Sequence, residues 1–318
     1  MLLVLLACAS PEAPADPVAV FPSTREAWRW PFSAESPWNQ PLRDGLALAD
    51  EDDACTRAVR DTSVEAWVNA ESWSHPVFRA SSDDPVVPLW EDGAFVMDVQ
   101  APLDASPSLP AWPDGDAHLY VIDPAGAEVV ELWKARPRQD GGWDANSLAV
   151  NDLYGPGIGN DGVRIYGGSA LGGLWRVGEL DAGAWHALAL SLPLKALAPR
   201  VVWPATDLTT TREASMTGPV PIGALVTLPQ DVPLDAFSTR AGRALARTLR
   251  DYGAYVVDHA SGFALYAEPK AADEVEGMRD DIDAIRARLS CALNSDASQP
   301  GGPGARVNPP PPPFVTSP

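Results

Sequence analysis

His118-Leu-Tyr-Val-Ile-Asp123 and Glu128-Val-Val-Glu-Leu-Trp133 are two period-2 segments joined by Pro124-Ala-Gly-Ala127. Runs rich in β-branched and aromatic residues, bounded by Pro and Gly, predict a β-hairpin. Working outward, further strands are expected over 147–152, 185–192, 200–203, 223–228, 253–258 and 262–268. Strands therefore follow one another from 118 to 228 without alternating helices, which argues against a doubly wound parallel sheet. The 33 Pro and 25 Gly divide the chain into short elements. The expected fold is mainly β, a β-sandwich or jelly-roll-like domain with two or three packed α-helices.

Three segments read as helical. Residues 50–70 open with four consecutive acidic residues, Asp50 to Asp53, which suit the positive end of a helix dipole. Residues 238–253 have a capping Ser238, an apolar stripe at Leu245, Leu249 and Tyr252, and a terminating Gly253. Residues 272–292 place Val275, Met278, Ile282, Ile285 and Leu289 at spacings of three and four, a coiled-coil-like seam that packs on its own domain or on a partner.

Of the 318 residues 46% are hydrophobic and 12 are Trp, enough to build a core and to exclude disorder for most of the chain. A formal charge of −20 repels phosphate backbones and makes nucleic acid a poor partner. Met1-Leu-Leu-Val-Leu-Leu-Ala-Cys8 reads as a lipobox behind an apolar run, and no later run is long enough to span a membrane. The expected organisation is a lipoprotein signal peptide at 1–7, lipidation at Cys8, and a Pro/Ala tether at 8–20. A single β-rich domain follows at 21–293, then a disordered Pro-rich tail at 294–318. This places the protein in the bacterial cell envelope, at the outer membrane or cell surface, and held to the membrane through the lipid anchor only. Cys55 and Cys291 are left either as a disulfide in an oxidising compartment or as two free thiols.

Ser36-Pro37-Trp38-Asn39, Gly115-Asp-Ala-His118, Glu131-Leu-Trp-Lys-Ala-Arg136 with Gly141-Gly-Trp143, His186-Ala-Leu-Ala189, Trp203-Pro-Ala205 and Tyr252-Gly-Ala-Tyr-Val-Val-Asp258 occur in this order. In them the chain resembles a broad family of secreted bacterial proteins of unestablished activity. The resemblance spans roughly residues 33–268 and implies one continuous, exported domain. It departs at Thr206-Asp207-Leu208, where relatives tend to read Thr-Asp-Gly.

The four histidines, His75, His118, His186 and His259, sit in or beside expected strands, and no HExxH or cysteine-rich spacing marks a metal site. Asp152, Asn160 and Asp161 offer oxygen ligands for Ca2+ in the turn 152–162, or the turn is a plain glycine-rich loop; no other cofactor is implied. His118 shares strand parity with Tyr120, and Glu131 with Trp133, so an imidazole, a carboxylate and an indole are expected on one face of the hairpin. His186 shares parity with Leu188 and Leu190, which points it inward as a core or catalytic histidine.

Indoles stack on sugar rings while carboxylates accept hydroxyl hydrogen bonds. Glu131, His118 and His186 are accordingly the candidate catalytic residues, and Trp133, Trp143, Trp175 and Arg136 the candidate ligand-binding ones. Glycoside hydrolysis needs a second carboxylate, for which Asp123, Asp144 and Asp152 are available. Ser169 lacks the GxSxG context of a serine nucleophile. Arg240, Arg243, Arg247 and Arg250 form one basic stripe, either solvated and internally paired or a receiver of acidic groups. The expected function is recognition of envelope or extracellular polysaccharide, with hydrolase or lyase chemistry left open. The alternative is a structural envelope lipoprotein acting through protein contacts. Exposure of Trp133 and Trp143 together in a groove containing Glu131 marks the first; buried indoles and an exposed Ile282, Ile285 and Leu289 seam mark the second.

Overall fold

In a computed structural model, residues 19–139, 141–159 and 162–315 are described. The expected signal peptide, Cys8, the tether as far as residue 18, and Asn160 and Asp161 of the calcium turn lie outside them. In chain order the first strands are β1 (Ala66–Asn69), β2 (Val77–Arg79), β3 (Val86–Glu91), β4 (Ala94–Gln100), β5 (Leu119–Ile122), β6 (Glu128–Trp133), β7 (Arg136–Pro137), β8 (Trp143–Ala145) and β9 (Ser147–Asp152). They are followed by β10 (Leu188–Leu192), β11 (Leu197–Val201), β12 (Val220–Ile222), β13 (Leu225–Thr227), β14 (Ala254–His259), β15 (Phe263–Tyr266) and β16 (Ser290–Cys291). The helices are α1 (Ala54–Val59), α2 (Glu179–Ala182), α3 (Arg240–Asp251), α4 (Ala272–Val275) and α5 (Met278–Arg286). The described residues are thus mostly β.

The strands form a six-stranded sheet ordered β1-β15-β10-β14-β13-β16, a four-stranded sheet β2-β5-β6-β9, another ordered β4-β3-β8-β7, and the pair β11-β12. Pairing is mixed: β1 with β15, β10 with β14, β2 with β5 and β3 with β8 are parallel, while the hairpins are antiparallel.

The hairpin explains the layering. Its turn is fixed by Asp123, whose Oδ1 accepts from the amides of Ala127 and Glu128 at 2.7 and 2.9 Å, and by Gly126 at φ 72°. Both parities of β5 are apolar, and neither of its faces reaches water. Tyr120, Ile122 and Val129 join the larger core, shared with the six-stranded sheet and the helices; Leu119, Val121, Val130 and Leu132 join a smaller one with Leu89 and Trp143. Burying each large apolar side chain contributes about 1.5–3 kcal/mol.

Helix α3 buries Leu245 and Leu249, and its cap is Thr239 rather than Ser238. Ser238 and Thr239 are both tied to α5: Asp281 accepts from the amide and hydroxyl of each, at 2.8–2.9 Å. These bonds outweigh burial and hold the Asp281 carboxyl below its ordinary range. A Cβ at Gly242 would run into Asp281, so a side chain there would push the two helices apart.

Several expectations are corrected. The helix expected over 50–70 is only α1, capped by Asp53, and 66–69 is strand β1. The helix expected over 272–292 divides into α4 and α5 around Glu276 and Gly277, and its end becomes strand β16 against β13. Val275, Met278, Ile282, Ile285 and Leu289 are all buried in the larger core, so the seam is internal. A disulfide joins Cys55 of α1 to Cys291 of β16 across 236 residues, a closure typically worth about 2–4 kcal/mol.

The tail expected to be disordered is pinned as far as residue 315. The Arg25 guanidinium donates to Pro312 O at 2.9 Å, its amide donates to Pro313 O at 3.0 Å, and Phe314 lies against it at 3.8 Å. Pro311 and Pro312 are buried. Upstream, Arg43 and Asp44 bond the backbone of Gly301 and Ala305. A proline-rich strand needs no partner for its missing N–H groups, and its carbonyls are free to accept from an arginine.

Candidate functional site

Tyr120 and Glu131 face each other across the hairpin, with His118 immediately before β5. Glu131 is fully buried, its oxygens accepting from the Ser169 hydroxyl and from the Ala170 amide at 3.0–3.1 Å. Burial outweighs these bonds and pushes its pKa up to about 7. The Tyr120 hydroxyl and His118 Nδ1 share a hydrogen bond of 3.1 Å, and burial drives His118 down to about 4. Trp133 is half-buried with Lys134 over its ring, and its Nε1 donates to Asp116 at 3.2 Å.

The expected sugar-binding face is therefore not assembled. Glu131 points into the larger core, Trp143 is 7% exposed in the smaller core and Trp175 is 2% exposed in the larger one. Neither indole offers an open stacking face. Arg136 is engaged with Asp144 at 2.9 Å, Asn146 at 2.7 Å and the Trp112 ring. Asp152 bonds the Tyr154 amide, and among the described residues no three His, Cys, Asp or Glu side chains converge to hold a metal ion.

His186 points inward as its parity indicated. It donates to Ala187 O at 2.9 Å and pairs with Glu179 at 3.0 Å. Burial alone would depress it, but the Glu179 carboxylate outweighs burial and holds the imidazole above its ordinary pKa.

Around Glu131 and His118 the tertiary fold gathers residues that no local pattern marks. His75 stacks on His118 at 4.4 Å and on Tyr120 at 5.4 Å, and Arg164 Nη2 donates to His75 Nε2 at 2.8 Å. The Arg164 guanidinium lies over the Tyr266 ring at 4.1 Å, and the Tyr266 hydroxyl donates to Ser191 at 2.7 Å. This polar knot joins the hairpin sheet to β10 and β15.

A second feature is open. A cleft of about 440 Å³ is lined by Trp28, Trp30 and Trp185 together with Arg29, Glu179 and Glu268. Phe21 meets Trp30 and Trp185 edge-on at 6.0 and 5.1 Å, and Arg29 lies over Trp28 at 5.2 Å. Two of its carboxylates are committed: Glu179 accepts from the Arg176 amide at 2.8 Å and pairs with His186, and Glu268 accepts from the Val177 amide at 2.7 Å and pairs with Arg176 at 3.3 Å. What remains is an aromatic wall with exposed Arg29 and exposed Glu26. The sequence signal available for it is the alternation Trp28-Arg29-Trp30, which belongs to no regular element.

Comparison of the chain with protein-family models, with curated proteins and with solved structures finds no match.

Proposed function

We propose that this is an exported, lipid-anchored protein of the bacterial envelope that recognises polysaccharide, and that it belongs to the broad secreted family whose motifs it resembles. The observation that carries the reading is the cleft at Trp28, Trp30 and Trp185. Its volume suits one or two sugar rings, and its mixture of indole and fixed polar groups is the usual composition of a sugar-binding surface. The charge of −20 disfavours polyanionic glycans, and with Glu179 and Glu268 paired, the cleft is left with one exposed charge of each sign, Glu26 and Arg29, beside indole faces that suit uncharged pyranose rings. Of the two marks of the assembly alternative, the buried Trp143 indole is met and the exposed seam is not, since Ile282, Ile285 and Leu289 are buried. For the fold, the larger core shared by two sheets supports the sandwich reading, whereas the parallel pairs speak against a jelly roll, whose pairing is antiparallel.

The test is retention of the purified protein on a panel of insoluble neutral polysaccharides, with released reducing ends recorded in the same tubes. Trp185→Ala and Trp28→Ala should lose retention while keeping the wild-type circular dichroism. Unchanged retention in both folded variants, or no retention of wild type on any polysaccharide, overturns the reading. Reducing ends above the blank would add catalysis to recognition.

A further inference from the structure

Arg164 is 3% exposed, yet its Nε and Nη1 have no hydrogen-bond partner among the described residues. Its third nitrogen is used by His75 and one face of the guanidinium by Tyr266. Leaving a buried donor unsatisfied costs about 1–3 kcal/mol, and more for a charged group, so nearly all such donors in folded proteins have an acceptor.

The neighbouring carboxyl groups do not supply one. Glu131 accepts from Ser169 and Ala170, Asp116 accepts from the Trp133 indole, and Asp258 accepts from the His259 amide at 2.7 Å. Nor do the imidazoles share the positive charge, because burial depresses both His75 and His118 and keeps them neutral. Arg164 therefore has donors to give and no bonded counter-ion.

We propose that Arg164 is the anchor of an interior site for a small monocarboxylate, bound through Nε and Nη1. The class follows from the surroundings. A neutral ligand would leave the guanidinium donors without a charged acceptor, and a dianion such as sulfate would bring a second negative charge that one guanidinium does not balance. A single planar carboxylate satisfies both donors with two oxygens, while the Tyr266 and His75 rings, packed against the guanidinium, fix its plane. Asp116 and Asp258 beside the knot are only half-buried. This site is separate from the glycan cleft and does not depend on that reading.

The test is isothermal calorimetry on the full chain with sodium acetate and sodium glucuronate, against sodium chloride and sodium sulfate at equal ionic strength. Saturable binding of acetate or glucuronate is expected, about tenfold weaker or absent in Arg164→Lys, which keeps the charge but not the geometry of the donors. Preference for acetate identifies a free carboxylic acid, and preference for glucuronate a sugar acid. Carboxylates indistinguishable from chloride, sulfate binding more tightly than either, or an unchanged Arg164→Lys isotherm would overturn the proposal. Should Arg164→Lys not fold, the Nε–H resonance of Arg164 in ¹⁵N-labelled wild type carries the decision: it should shift with acetate and not with chloride, and an unmoved resonance removes the site.

Discussion

Glu131→Gln should make the protein more stable at alkaline pH and leave it little changed at acid pH. Burial raises the Glu131 carboxyl from 4.5 to about 7, so the folded protein binds more protons than the unfolded chain between those values. Stability attributable to this residue is then fully present below about 4.5 and is lost as pH rises through about 7. The interval corresponds to roughly 3 kcal/mol at pH 8, at about 1.4 kcal/mol per unit. Wild type alone would obscure it. His118, driven down to about 4, binds fewer protons folded than unfolded, and makes stability rise with pH over an overlapping window between 4 and 6.5. The difference between wild type and Glu131→Gln cancels the histidine contribution, since glutamine copies the shape of the protonated acid. The assay is urea unfolding of both proteins at pH 4.5, 6, 7 and 8. The free-energy difference should grow in favour of the variant by about 3 kcal/mol across the series. A difference that stays flat, or grows towards acid, would refute the assignment of Glu131 as a buried acid with a raised pKa.

Cys291→Ser should lower unfolding stability by about 2–4 kcal/mol, and the same loss should follow chemical reduction of wild type; equal denaturation midpoints with and without reductant would show that the bridge contributes nothing. Gly242→Ala should destabilise by about 1–3 kcal/mol, because its methyl group displaces Asp281 from the α3 terminus, and thermal denaturation reads the loss. Arg25→Ala should leave the core cooperative but open the segment 306–315 to protease; cleavage there no faster than in wild type would mean that the arginine does not hold it.

The hairpin was legible because its turn chemistry and its period agree, and α3 because cap, stripe and terminator coincide. Strands β1 to β4 were not. Pro88 interrupts the run Val86–Glu91, and β4 exposes Ala94, Phe95 and Val96 in succession, so neither shows clean alternation. The 272–292 seam was correct as a buried face and wrong as one helix, since spacing records which side is apolar and not whether the axis continues through Gly277. The Pro/Gly composition of 294–315 suggested disorder because the acceptor role of its carbonyls depends on Arg25, almost three hundred residues away. The site follows the same division. Glu131 and His118 were visible from strand parity, whereas His75 and Arg164 lie outside regular elements and reach the knot through contacts that no periodicity encodes. Trp143 and Trp175 were singled out for their chemistry, and the fold uses them as core.

The clasp between Arg25 and the segment 312–314 also sets an order of events in time. A polypeptide emerges from its N-terminus, so the edge of the domain around Arg25 waits for its acceptors until residues 312 and 313 have been delivered. Until then the arginine, with its backbone pairing open, is exposed to solvent and to other chains. Closure of this clasp therefore comes after the rest of the described core has been delivered, and its contacts belong to the slow, non-local kind that chain topology penalises. A nascent chain stalled before residue 311 would hold most of its core and lack its closure.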